Sequence, residues 1–265
     1  MNIKIFKRLV KLSILQTINF RITSFIMLIV SILFFLLEIF TGFILFKYTK
    51  TIAGFTRYDY FNLIITGHVI TSLYYMIFSY GNNKIITDIL YGRMDYIFIR
   101  PVNSFFYYVF YGINLESLVT FILYTVLQVI LLCYQTLGLS KIIMYVLSIL
   151  IGVVYMAIIN TLIAMIAFYT DRATALFGVT EILEDLGKNP KNIYPSSIKV
   201  VLTYIIAYAY VYNLPVNILQ SKVDLVNTVV YLLTCIILSN VVYRLWFKSI
   251  ERYQSANWLF APKSI

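Results

Sequence analysis

Long apolar runs separated by short polar segments make up most of the chain. Six of these runs contain about 20 residues or more, the length that an α-helix needs to cross a hydrocarbon core of about 30 Å. We therefore predict an all-α, polytopic membrane protein in which residues 1–265 form a single transmembrane domain. The predicted transmembrane helices cover residues 22–46, 60–80, 118–137, 142–169, 198–219 and 225–247.

The composition supports this fold class. Hydrophobic residues make up 61% of the chain and charged residues only 12%, whereas about a quarter of a soluble domain is charged. So few solvating groups could not cover a soluble globule of this size. We therefore exclude soluble enzymes, nucleic-acid-binding proteins and secreted disulfide scaffolds, and we expect membrane lipid rather than nucleic acid as the surroundings.

The net charge of +10 is distributed unevenly. Most Lys and Arg residues lie in the segments that share a side of the membrane with the N-terminus. Because cytoplasmic loops carry the excess of basic residues, both termini are predicted to be cytoplasmic. The opposite side holds only Lys47, Lys50, Arg57, Lys141 and Lys222.

The segment before the first span, residues 1–21, is basic and amphipathic. Lys4, Lys7, Arg8 and Lys11 follow helical spacing and share one face. This pattern predicts a helix that lies in the membrane interface with its cations toward anionic headgroups. The helix either sets the topology alone or also has a mechanical role.

The first cytoplasmic connection, residues 81–103, combines an apolar stripe with mixed charge. The stripe recurs at helical spacing, Gly92 can end a helix there, and Pro101 can open the next one. A short amphipathic helix of this kind either binds a soluble partner subunit or lies on the lipid surface. Its charged residues are Lys84, Asp88, Arg93, Asp95 and Arg100.

A second amphipathic helix is predicted in the cytoplasmic connection of residues 171–197. Leucines and valine line one face, Gly187 can cap the helix, and Asn189-Pro190 breaks the chain after it. Its acidic residues would be repelled by anionic headgroups, so we expect this helix to pack against other parts of the protein. These residues are Glu181, Glu184 and Asp185.

The sequence has no catalytic or metal-binding motif. It lacks a phosphate-binding glycine loop, its single histidine is His68, and Cys133 and Cys235 lie far apart within apolar runs. We expect no catalytic residue and no metal site. Any use of ATP would therefore require a separate chain.

Two ionisable side chains lie within the predicted spans, where a charge is costly unless it is paired or wetted. Glu38 is about two-thirds of the way out along the first span, and His68 is in the outer half of the second. Their depths agree within a turn or two, so a Glu38–His68 pair is possible. The two residues either line a substrate path or bind a proton, or they only fix helix packing.

Polar groups in the later spans could likewise serve either the substrate path or helix packing. Gln128, Asn160 and Asn240 are expected to form hydrogen bonds between helices, and Asn160 is also a candidate for the substrate path. Asn213 precedes Leu214-Pro215 in the fifth span, and proline can break a helix. This site is either an exit gate or the end of a short span.

Several short motifs occur in order along these six spans. They are Gly92-Arg93-Met94-Asp95, Arg100-Pro101-Val102-Asn103, Ile193-Tyr194-Pro195, Leu214-Pro215 and Arg252-Tyr253-Gln254-Ser255-Ala256. With these motifs the whole chain resembles the six-span permease subunits of type-2 ABC (ABC-2) exporters. The closest resemblance is to the branch in which two related permeases work with one separate ATPase.

The resemblance implies an assembly and a direction of transport. Residues 1–21 would be the family's elbow helix, and residues 81–103 would be the coupling segment that inserts into the ATPase. This permease would pair with a related permease or a second copy of itself and with two ATPase subunits, which would bind ATP and magnesium. Lys84, Asp88, Arg93, Asp95 and Arg100 would contact the ATPase.

The cargo implied by this resemblance is small. Polysaccharide exporters of the superfamily have re-entrant helices between the last two spans, and residues 221–224 are too few for them. A drug-like cation, an antimicrobial peptide or a lipid-like molecule is expected instead. The alternatives are a proton-coupled secondary transporter that uses Glu38 and His68, and a non-transporting immunity or sensor subunit.

Overall fold

A computed structural model describes residues 3–170 and 175–253 of the chain. The Gln254-Ser255-Ala256 part of the last motif lies outside these residues, as do the side chains of Lys4 and Lys7. Within this part the chain is mainly helical, with one two-stranded hairpin.

The N-terminal segment forms a separate helix, as its pattern predicts. Helix α1 (Ile3–Asn19) is followed at Phe20 by α2 (Arg21–Tyr48), the first span. Arg8 and Lys11 are exposed on α1, whereas Leu9 and Ser13 are buried against the bundle. The helix therefore packs one face on protein and presents cations on another.

Beyond α2 the chain turns through a hairpin and enters the second span. Strands β1 (Thr51–Ile52) and β2 (Phe55–Thr56) pair in antiparallel fashion. Helix α3 (Arg57–Leu90) follows, capped by reciprocal hydrogen bonds between Thr56 and Asp59.

Helix α3 is longer than predicted, and this corrects the limits of the coupling segment. Residues 81–90 continue the second span without a break and do not form a separate amphipathic helix. Gly81 allows the helix to pass against the backbone carbonyl oxygen of Tyr108, which a larger residue would overlap. The helix ends at Gly92, which has the left-handed φ of 62° expected of such a cap.

The polypeptide after Gly92 makes short turns before two further spans. Its short helices are α4 (Asp95–Phe98) and α5 (Ser104–Val109), the latter capped by Asn103 rather than opened by Pro101. The spans are α6 (Leu115–Cys133) and α7 (Leu139–Met165), which continues as a 3-10 turn through Phe168.

The predicted fifth span is not one continuous helix. Helix α8 (Leu176–Gly187) is followed by α9 (Ser196–Val200), a π-helical turn (Val201–Ile205) and α10 (Tyr208–Leu219). The axis bends by 85° before α10, where Ala207 takes a left-handed φ of 53°. Pro215, the expected break, lies inside α10 without ending it.

The last span, α11 (Leu225–Ile250), begins at an Asp224 N-cap after a tight turn. Among the described residues, five helices are long and apolar enough to cross a membrane, or six if the bent pair counts as one span. Helices α2 and α11 expose most of their apolar side chains, as lipid-facing spans do, and α6 buries only Tyr124 among its apolar residues.

Helix α10 forms the centre of the bundle. Nearly all of its residues are buried, and it packs against α3, α7 and α8. Hydrogen bonds between helices hold this core. They join Asn62 to Gln128, Thr66 to Tyr145, Thr71 to Tyr212, Asn82 to Thr161, and Asn160 to Tyr208.

Candidate functional site

The ionisable residues of the first two spans contact each other. His68 Nε2 lies 2.9 Å from Glu38 Oε2. The aromatic rings of Phe35 and Tyr124 pack against the His68 imidazole, with centroids 5.0 and 4.9 Å away. The contact therefore links α2 to α3 beside α6.

Helix α8 brings a second charged group to the same place. The side chain of Lys188, just after α8, lies 3.1 Å from the position that a Cβ on Gly67 would occupy. Gly67 is ten residues after Arg57, the first residue of α3, and therefore about 15 Å along the helix axis. The end of α8 thus reaches about halfway along a 30 Å hydrocarbon core.

This placement corrects the prediction that residues 171–197 form a cytoplasmic connection. The helix was predicted correctly, including its packing on protein. Its depth depends on long-range contacts with α3 and α10 that no local pattern contains.

A cavity of about 610 Å³ lies between α2, α3, α6 and α8. Glu38 and His68 line it, together with three charged side chains from the end of α8: Glu181, Asp185 and Lys188. Its walls also carry hydroxyl groups and aromatic or apolar side chains. These are Met27, Val30, Ser31, Phe34, Thr71, Ser72, Tyr75, Ser117, Thr120 and Tyr124.

A second cavity of about 350 Å³ adjoins the first toward the outer end of α2. Thr41 and Tyr60 line its outer part. Four residues border both cavities, and so form the division between them: Phe34, Glu38, Asp185 and Lys188. The two spaces follow α2 from Met27 to Thr41, which is about half of the length of this helix.

Acidic groups outnumber basic ones around the larger cavity. Lys188 Nζ is 3.1 Å from Asp185 Oδ1, so these two charges offset each other. Glu38 and Glu181 are the remaining carboxylates of the lining. The cavity therefore keeps a negative net charge whether or not His68 is protonated.

Glu184, next to the cavity-lining face of α8, is buried in a group of tyrosines. Only 3% of its surface is exposed, and Tyr75 donates a hydrogen bond of 3.5 Å to its carboxylate. This contact joins α8 to α3.

The other path candidates do not line the larger cavity. Asn160 lines a small space of about 100 Å³ and donates to Tyr208. Asn213 is fully buried, and its amide binds the carbonyl oxygens of Gly187, Asn189 and Ala209. Asn213 therefore fixes α10 to the end of α8, and Pro215 is buried beside it.

The predicted coupling residues divide into a buried one and more accessible ones. Asp88 is only 2% exposed, forms a 2.7 Å ion pair with Lys84 and accepts a hydrogen bond from Tyr108. It therefore faces the interior of this chain, where it joins α3 to α5. Arg93 and Arg100 are exposed, and Lys84 and Asp95 are half-buried.

The predicted coupling segment is shortened to residues 91–103, because α3 continues to Leu90. In the structure this segment is joined to the end of α11. The backbone N–H of Met94 donates to the Tyr253 hydroxyl group at 3.0 Å, and Phe98 packs edge-on against the Tyr253 ring. Asn103 donates to the Tyr243 hydroxyl group. Two motifs that are far apart in sequence thus meet, and Tyr253 is a residue whose role the sequence did not indicate.

The cavity-lining residues of α8, which the sequence analysis did not assign to a site, share one sequence feature. Glu181, Asp185 and Lys188 lie on the polar face of an amphipathic helix, which usually faces water or headgroups. Their acidic excess indicated a protein environment. The pairing of this face with Glu38 became visible only when α8 was placed beside α3.

The long apolar helices define a multi-pass membrane protein. The family profile described as ABC-2 family transporter protein matches residues 25–257. The chain therefore belongs to the ABC-2 transporter family, and the resemblance found in its motifs is confirmed. Membrane subunits of this family generally work with ATPase partners. No curated protein and no solved structure matches the chain.

Proposed function

We propose that this chain is the permease subunit of an ATP-driven exporter that moves a small hydrophobic or amphipathic molecule out of a bacterial cell. A separate ATPase, present in two copies, binds ATP and magnesium and performs the hydrolysis. A second permease, related or identical, completes the assembly. Both termini and the coupling segment lie on the cytoplasmic side.

The observation that carries this proposal is the way in which the coupling segment packs on the bundle, with one side buried and the other side exposed. Its inner residues, Met94 and Ile97, are buried against the bundle. Its outer residues project apolar side chains, with Tyr96 65% and Ile99 82% exposed, beside the exposed Arg93 and Arg100. An apolar surface with a cationic rim is typical of a protein interface.

Transmission to the spans follows from the same contacts. A force on the coupling segment reaches α11 through Tyr253 and reaches α3 through Asp88, since both side chains bind the segment or its flanks. Helix α3 carries His68 at the cavities. ATP-driven movement of the segment would therefore alter the shape of the substrate path along α2, α3 and α8.

The first experiment is to tag the chain in its native membrane, solubilise it gently and identify the proteins that co-purify. Co-purification of an ATPase with a phosphate-binding loop, in a fixed ratio, is the expected result. A second six-span protein in the complex would indicate a heterodimer of permeases. Recovery of the chain alone from several mild detergents would overturn the proposal.

A double variant tests the coupling segment itself. Asp95→Ala with Arg100→Ala is expected to leave a folded complex whose ATP hydrolysis no longer drives export. Lys222→Ala, on the opposite side of the membrane, is the control and should export normally. If the double variant still coupled ATP hydrolysis to export, residues 91–103 would not be the coupling segment.

The Glu38–His68 contact supports a second candidate, a proton-coupled transporter. A paired carboxylate and imidazole within a cavity can exchange a proton with a substrate. This candidate predicts transport that persists without any ATPase and stops when the proton gradient collapses. Transport in vesicles with either ATP or a gradient, but not both, distinguishes the two mechanisms.

A further inference from the structure

We propose that the larger cavity binds monovalent organic cations with an aromatic or apolar body. This inference deepens the proposed transport function and rests on it. It selects one chemical class of cargo from the lining of the site between α2, α3, α6 and α8.

Charge is the first argument. The Asp185–Lys188 pair is internally neutral, since its atoms lie 3.1 Å apart. Glu38 and Glu181 then leave an excess of negative charge facing the same space. An anionic ligand would be repelled by these carboxylates, whereas a cation would offset a charge that is otherwise costly at this depth.

Shape and surface chemistry are the second argument. A space of about 610 Å³ is in the range of sites for drug-sized molecules. Aromatic rings of Phe34, Tyr75 and Tyr124 line it from three different helices. Such rings bind cations through their faces and also bury an apolar body.

The position of Lys188 adds a specific expectation. Its ammonium group lies at the division between the two cavities and opposes the entry of a cation. Removing this charge should therefore strengthen the binding of a cation, whereas removing a carboxylate should weaken it. Opposite effects from one cavity are not expected if the variants act only through misfolding.

The test compares two probes of the same shape and opposite charge, tetraphenylphosphonium and tetraphenylborate. Equilibrium dialysis measures their binding to the purified chain in nanodiscs of phosphatidylcholine, a zwitterionic lipid. We expect saturable binding of tetraphenylphosphonium only. Preference for tetraphenylborate, equal binding of both probes, or no saturable binding would each overturn the inference.

Variants of the lining residues then test whether the cation binds in this cavity. Glu181→Gln, at an exposed position that need not disturb folding, should weaken tetraphenylphosphonium binding about tenfold, and Glu38→Gln should have a similar effect. Lys188→Gln should strengthen binding, and Glu251→Gln, at the exposed end of α11, should not change it. Unchanged affinity in both Glu181→Gln and Lys188→Gln would overturn the assignment to this cavity.

These measurements need no ATPase, so the two proposals can fail separately. If an ATPase co-purifies but no cation binds, only the cargo class is wrong. If a cation binds but no ATPase is found, the site stands and the ATP-driven function falls.

Discussion

His68 Nε2 and Glu38 Oε2 lie 2.9 Å apart and join the first two spans beside the division between the two cavities. His68 is 9% exposed, so this contact is largely shielded from solvent. Lys188 borders both cavities next to Glu38. The contact thus has a place both in helix packing and in the lining of the larger cavity.

Replacement of His68 by alanine should destabilise the protein. Glu38 would lose its partner within a span, and we expect a loss of about 1–3 kcal/mol in the free energy of unfolding. Thermal unfolding in detergent measures the effect. A double-mutant cycle with Glu38→Ala provides the control, because it isolates the pair energy. Additive effects of the two substitutions would show that the contact contributes nothing to packing.

Gly81→Ala should be strongly destabilising. An added Cβ would overlap the backbone carbonyl oxygen of Tyr108, which cannot rotate away as a side chain would. We expect a loss of about 2–3 kcal/mol. Gly178→Ala in α8 is the control, since nothing lies within 4 Å of its Cβ position, and alanine favours helix by up to about 1 kcal/mol. Equal thermal midpoints for the two variants would refute the close contact at Gly81.

Tyr253→Phe should impair transmission more than folding. The variant keeps the ring that packs on Phe98 but loses the hydroxyl group that accepts from the Met94 N–H. We expect a stability loss of about 0.5–1.5 kcal/mol and a clear fall in substrate exported per ATP hydrolysed by the assembled complex. Tyr134→Phe, at a tyrosine that is 83% exposed, is the control. An unchanged export-to-hydrolysis ratio would exclude this route.

The sequence predicted the spanning elements because length and hydrophobicity act locally. Four of the six predicted spans correspond to helices whose ends differ by a few residues, and α1 and α8 also form where the periodicity placed them. The second span was predicted too short, because α3 continues beyond Tyr80 to Leu90 and Gly81 allows it to pass close to Tyr108. The fifth was drawn as continuous, although a left-handed Ala207 interrupts it.

What the sequence determined by itself is the fold class, the family and the two ionisable residues of the first spans. These follow from composition, local periodicity and short motifs, which need no knowledge of distant contacts. Only the tertiary structure placed Asp88 inside, joined Met94 to Tyr253 and set the charged face of α8 beside Glu38. The physical reason is that an amphipathic helix encodes which face is polar, whereas packing against other helices decides whether that face meets water, headgroups or a cavity.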